Sequence, residues 1–140
     1  MSSLRYAAVA VELDAPAEAV FSLITDWPRH REWMFLTDAR KVGQDRIEAY
    51  TGIRPFGFLD TMTITEWEPP HRVRVAHTGT IVRGEGAFRV RPLGPYVCRV
   101  VWAEKVEVPR WALPAWPLVH AATVLMARRS LLRVGELAQR

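Results

Sequence analysis

The stretch 97–108 carries the strongest chemical signal in the chain. Its even positions are Cys98, Val100, Trp102, Glu104, Val106 and Val108, and its odd positions include Arg99, Lys105 and Glu107. A period of two turns the even set inward on a strand and sets the carboxyl of Glu104 on an apolar face. Burial disfavours the charged form of a carboxyl, so a group placed this way is a candidate acid or base. An ion pair with a neighbouring Arg is the structural alternative. His77 follows Val73 and Val75 at the same period, which makes it a second inward candidate. Its imidazole suits a ligand carbonyl or a base near neutral pH, and a satisfied strand-end histidine is the plainer reading. Asp60 and Glu66 share parity with Met62 and Ile64, while Thr61, Thr63, Thr65 and Trp67 share the other, so this strand leaves its inward face open.

Other chemistries are excluded by what is missing. A single cysteine, Cys98, rules out a disulfide scaffold and a cysteine zinc site. His30, His71, His77 and His120 show no metal-ligand spacing, and no GxSxG elbow exists. Arg83-Gly-Glu-Gly86 is a GxG inside a strand with no helix start after it, so it is no phosphate loop. No cofactor and no metal are expected.

Length and charge bound the rest. A chain of 140 residues with 49% apolar residues and six Trp fits one globular domain over 1–140. Residues 1–108 hold 14 basic and 14 acidic side chains, and the net +4 comes entirely from 109–140. No strand pairs aromatics with basic residues in the RNA-binding manner and no helix-turn-helix stands out, so nucleic acid is not the expected partner. The sequence starts without an apolar leader, and the expected location is cytoplasmic.

The elements that must position these residues follow from pattern and punctuation. Residues 5–13 read as a strand. Asp14-Ala-Pro16 reads as a helix start with Asp14 as the cap, and Pro28 stops that helix. Trp27–Met34 forms a second short helix or turn. Strands are expected over about 38–43, 46–52, 58–68, 71–78, 80–92 and 96–108, joined by short reversals into an antiparallel meander. A hairpin around Leu93-Gly94 places Glu104 near Gly84 and Trp102 near Gly86, and glycines there permit curvature and leave room for a ligand. A long helix from about 117 to 139 presents Arg129, Arg133, Glu136 and Arg140 on a wet face. His120, Val124, Ala127, Leu131, Val134 and Ala138 form the opposite face. That helix is the only element large enough to cover a curved sheet, and it need not fill the space beneath. The expected fold is α+β, with an apolar cavity between sheet and helix.

This order of elements carries local motifs. They are Ala15-Pro16-Ala-Glu18-Ala-Val20-Phe21, Asp26-Trp27 with Glu32-Trp33, Glu66-Trp-Glu-Pro-Pro70, Gly84-x-Gly86-x-Phe88, Val101-Trp102-x-Glu104 and Arg129-Ser130-Leu131-Leu132. In this order and over nearly the whole length the chain resembles the START-like (SRPBCC) superfamily, and within it the bacterial polyketide cyclase/dehydrase and lipid-transport branch. The resemblance implies a helix-grip fold, with a curved antiparallel sheet of about seven strands around a long C-terminal helix. It also implies a cavity for a hydrophobic small molecule.

Expected lining residues are Val73, Val75, Gly84, Gly86, Phe88, Val100, Trp102, His120, Val124 and Ala127, with Trp33, Phe56 and Phe58 either at the rim or in ordinary core packing. The leading reading is a carrier or sensor of a lipid or polyketide-like molecule. The alternative is a polyketide aromatase/cyclase or dehydratase in which Glu104 and His77 are the catalytic candidates. A third reading is transient membrane contact through Arg128, Arg129 and Arg133 beside Trp111, Trp116 and Leu118. Monomer and homodimer are both open, with the Trp/Pro-rich 111–117 as a surface for a second copy.

Overall fold

The computed structural model describes residues 1–139; Arg140, expected on the wet face of the last helix, lies outside the described residues. The chain runs β1 (Ser2–Leu13), α1 (Ala17–Ile24), a 3-10 turn (Trp27–Glu32), β2 (Thr37–Lys41) and β3 (Arg46–Thr51). It continues through β4 (Phe58–Glu68), β5 (Arg72–Thr78), β6 (Arg83–Gly94) and β7 (Val97–Pro109) to a second 3-10 turn (Arg110–Ala115) and α2 (Trp116–Ala138). The strands form one curved antiparallel sheet in the order β1-β7-β6-β5-β4-β3-β2. The meander expected from the short turns is present, and β1 extends it by pairing with the last strand. This is the α+β helix-grip fold.

Alternation sets which faces are buried. On β1 the odd residues Ala7, Val9, Val11 and Leu13 are buried and Glu12 is exposed. Val9, Val11 and Leu13 meet Val20, Phe21 and Ile24 of α1, Val90 and Val100 of the sheet, and Leu131 and Val134 of α2 in one core. Each such large aliphatic side chain contributes about 1.5–3 kcal/mol by leaving water. The first helix starts later than the punctuation suggested. Pro16 is its extended N-terminal flank, no side chain caps it, and Asp14 is exposed three residues upstream of Ala17.

The β6–β7 register also differs from expectation. The reversal falls at Pro95-Tyr96, with an irregularity between Pro92 and Gly94, so Glu104 faces Gly86 and Trp102 faces Phe88. The slip is two residues and therefore leaves every side chain on its expected face. Strand β6 begins at Arg83 instead of about 80, because Gly79 to Val82 form a loop.

The last helix is held by its C-terminal half. Its buried residues are Ser130, Leu131, Val134 and Gly135. A Cβ at Gly135 would sit 2.8 Å from Leu13 Cδ2, so the absent side chain is what lets the helix backbone press onto β1. Towards its N-terminus Leu118, Val119 and Leu125 are exposed. The first half of α2 thus stands off the sheet. Among the described residues, no helix is long and apolar enough to cross a membrane.

Candidate functional site

The space left beneath the first half of α2 is a cavity of about 470 Å3. A second lobe of about 400 Å3 along the helix shares Met34, Trp102, Glu104, Val119 and Thr123 with it. The sheet supplies Phe58, Asp60 and Met62 from β4, Val73, Val75 and His77 from β5, Gly86 and Phe88 from β6, and Trp102 and Glu104 from β7. The helix supplies Trp116, Val119 and Thr123. Val124, Met126, Ala127 and Ser130 line the second lobe. Strand β4, whose inward face the sequence left open, turns Phe58, Asp60 and Met62 into the cavity. A bulge between Ile64 and Glu66 then reverses the phase, so Glu66 lies opposite Arg74 and Trp67 pairs with Val73 and packs on Phe21. The signal for the inward stretch is that Phe58, Met62 and Ile64 are apolar while Thr61, Thr63 and Thr65 are not.

One polar cluster stands in this cavity. His77 Nδ1 lies 3.0 Å from Asp60 Oδ1 and His77 Nε2 lies 2.9 Å from Glu104 Oε2. Trp102 donates its indole N–H to Glu104 Oε1 at 3.0 Å. The His77 side chain is only 6% exposed. Burial is the largest single influence on its ring and favours the neutral form, but hydrogen bonds and charge from Asp60 and Glu104 outweigh it and push the pKa up to about 10.

The cluster spans four neighbouring strands, from Asp60 on β4 to Glu104 on β7, and a glycine on β6 makes that possible. His77 lies on β5 and Glu104 on β7, with β6 between them. His77 pairs with Gly84 and Glu104 pairs with Gly86. Neighbouring strands are about 4.8 Å apart, so two side chains on either side of a strand meet only over a gap in the middle one. A Cβ at Gly86 would lie 2.7 Å from both carboxylate oxygens of Glu104. Gly86 is therefore the opening through which the carboxylate reaches the imidazole. Gly84 serves the backbone. It holds φ +138°, and a Cβ there would collide with the Lys105 carbonyl, so it belongs to the strand pairing and not to the cavity lining.

Aromatic rings form the wall beside the cluster. Phe88 and Trp102 are 4.7 Å apart between centroids, and Trp33 packs edge-on against both at 6.1 and 6.2 Å. Trp33, expected at the rim or in the core, is buried behind this wall at 4% exposure, and its indole N–H has no acceptor. His30 sits next to Trp33 and Trp27 and donates from Nε2 to the Ile24 carbonyl at 2.7 Å. Burial lowers its pKa to about 4, so it is neutral.

Several expected positions lie elsewhere. Val100 is fully buried in the core, without a share in the cavity. Phe56 is 91% exposed at the tip of the β3–β4 loop. His120 does not line the cavity and packs its ring on the lining residue Trp116, 5.7 Å away; Val119 and Thr123 carry the helix's share of that lining. The basic cluster is not beside the exposed Trp111 and Leu118. Arg129 follows Leu118 by eleven residues, which is about 16 Å along a helix. Arg133 is tied down, with its guanidinium on Glu136 and on the Glu32 carbonyl.

With the geometry in place, comparison with known proteins adds the lineage. The chain's fold matches that of a conserved protein from Geobacillus kaustophilus, with TM-score 0.79, 13% identity, and 96% of this chain and 95% of that one covered. It also matches the Zhui aromatase/cyclase from a Streptomyces species, with TM-score 0.77, 16% identity, and coverage of 99% and 95%. A START superfamily protein from Mycobacterium smegmatis matches with TM-score 0.66, 18% identity, and coverage of 91% and 98%. No curated protein matches by sequence. The family model described as polyketide cyclase / dehydrase and lipid transport matches residues 7–139. The chain therefore belongs to that family, a branch of the START-like helix-grip superfamily.

Proposed function

We propose that this protein binds a hydrophobic small molecule, a lipid or a polyketide-like ring system, in the cavity under α2, as a carrier or sensor. The observation that carries the reading is the combination of a gripped and a free half of one helix. The C-terminal half is packed into the core, and the other half roofs a cavity of about 470 Å3. That volume suits one small ligand. Apolar burial against Val75, Phe88 and Trp102 supplies affinity, and the Asp60–His77–Glu104 cluster fixes orientation.

The test is native mass spectrometry of the purified protein, followed by extraction and identification of what is bound. A co-purifying lipid or aromatic molecule is the expected result. An empty protein that also fails to bind a panel of apolar probes would overturn the reading.

A second reading is an aromatase/cyclase or dehydratase. It is favoured by the presence of two carboxylates and an imidazole inside the same cavity. Positioning and proton transfer would then share the work. A histidine held cationic well above neutral pH is a poor proton shuttle, so in this reading Glu104 or Asp60 is the base and His77 positions it. Glu104→Gln would abolish turnover of a polyketone substrate while leaving binding intact; unchanged turnover would remove Glu104 from the mechanism.

A further inference from the structure

We propose that the ligand of this cavity is a hydrophobic amine, bound as its ammonium against Glu104 and Asp60 and beside the Trp102 ring. This rests on the reading that the cavity holds a hydrophobic small molecule, and it names the chemical class.

An imidazole nitrogen 3.0 Å from one carboxylate oxygen and the other nitrogen 2.9 Å from a second need a proton in each contact, or lone pairs face each other. Two carboxylates and one imidazole that share those two protons carry a net charge of −1, whichever atoms hold them. The other charged lining residues do not cancel it. Arg83 is two-thirds exposed, and its guanidinium pairs with Glu107, which also lines the cavity, at 3.5 Å. His30 is neutral. The cavity therefore holds one uncompensated negative charge in mostly apolar surroundings. Such a charge is costly until a cation joins it.

The donor and acceptor balance points the same way. Both N–H groups of His77 and the indole N–H of Trp102 are consumed within the cluster. Each carboxylate oxygen has two acceptor sites, so three bonds leave most of them unused. The cluster offers a ligand acceptors and no donors. A ketone or a fatty-acid carboxylate brings only acceptors and finds no partner there. An ammonium brings three donors and the missing charge. Trp102 and Phe88, stacked 4.7 Å apart next to Glu104, give that cation an aromatic neighbour.

The test uses three probes with one apolar body: naphthylmethylamine, naphthylmethanol and naphthoic acid, titrated calorimetrically into the wild-type protein near neutral pH. The amine should bind about tenfold tighter than the alcohol and the acid weakest, from a charge-assisted contact with the cluster. The same series on Glu104→Gln, and separately on Asp60→Asn, should bring amine and alcohol together. If the alcohol or the acid binds as tightly as the amine, the amine class is wrong and the cavity reading survives. If the preference persists in both variants, the cluster is not its source and the proposal fails. If none of the three binds, the cavity reading itself falls.

Discussion

His30 and His77 are the same side chain in one small protein, both are hidden from solvent, and they end in opposite protonation states. His30 gives its Nε2 proton to the Ile24 carbonyl and is otherwise surrounded by Trp27 and Trp33. Nothing nearby stabilises a charge strongly, and burial brings its pKa to about 4. His77 has a carboxylate on each nitrogen, and its pKa rises to about 10 although burial pulls the other way. Burial alone does not decide what a histidine does; its partners do. The neutral one packs, and the charged one organises two carboxylates inside a cavity.

The comparison breaks hardest if the charged histidine is removed. His77→Leu leaves Asp60 and Glu104 without their shared counter-ion, and the protein should lose about 3 kcal/mol of stability by urea denaturation. A loss below about 1 kcal/mol would mean that the cluster is no ion network.

The pH profile sharpens the contrast. The folded pKa of His77 lies above its ordinary 6.5, so its stabilisation is full below 6.5 and is lost as pH rises towards about 10. The folded pKa of His30 lies below 6.5, so the unfolded chain takes up the proton more readily, and stability falls as pH drops from 6.5 towards about 4. Stability should decline on both sides of pH 6.5, by up to about 5 kcal/mol on the alkaline limb and about 3 kcal/mol on the acid one. His77→Gln should flatten the alkaline limb and His30→Gln the acid one. If each variant flattens the wrong limb, the two assignments are reversed.

His30→Leu forfeits a single hydrogen bond to a backbone carbonyl, for a loss of about 1–2 kcal/mol in the same denaturation assay. Gly86→Ala should cost about 1–2 kcal/mol, because its methyl would lie 2.7 Å from both carboxylate oxygens of Glu104, which His77 and Trp102 hold in place. It should still push the carboxylate away from His77 and Trp102, and a downfield shift of the Trp102 indole proton should disappear from the NMR spectrum. A variant whose indole signal matches that of the wild type would contradict the role given to Gly86.

The strands, their faces and the family were legible because period two and turn residues are local signals. Glu104, His77 and Trp102 could be placed inward from β5 and β7 alone. Asp60 was not placed, because alternation on β4 looked ambiguous between a threonine face and a mixed one. Its role appears only when Met62 pairs with His77 and brings Asp60 alongside. The expected β6–β7 register is off by two residues because the turn signal centres on Leu93-Gly94, whereas the pairing runs on to Gly94 and the chain reverses at Pro95-Tyr96. On α2, Val124 and Ala127 line the second lobe as their apolar phase implies, whereas His120, on the same phase, packs on Trp116. Phe56 shows another error, an aromatic taken for rim or core that stands in solvent.

The most direct test is a 15N NMR titration of the histidine ring nitrogens, run with and without naphthylmethylamine. The account predicts that His77 keeps the pattern of a doubly protonated ring from pH 6 to beyond pH 8, that His30 keeps a neutral single-tautomer pattern over the same range, and that the amine moves the His77 signals most. A His77 that titrates near its ordinary 6.5, or one that the amine leaves untouched, would contradict a charge-locked cluster at the centre of a ligand cavity.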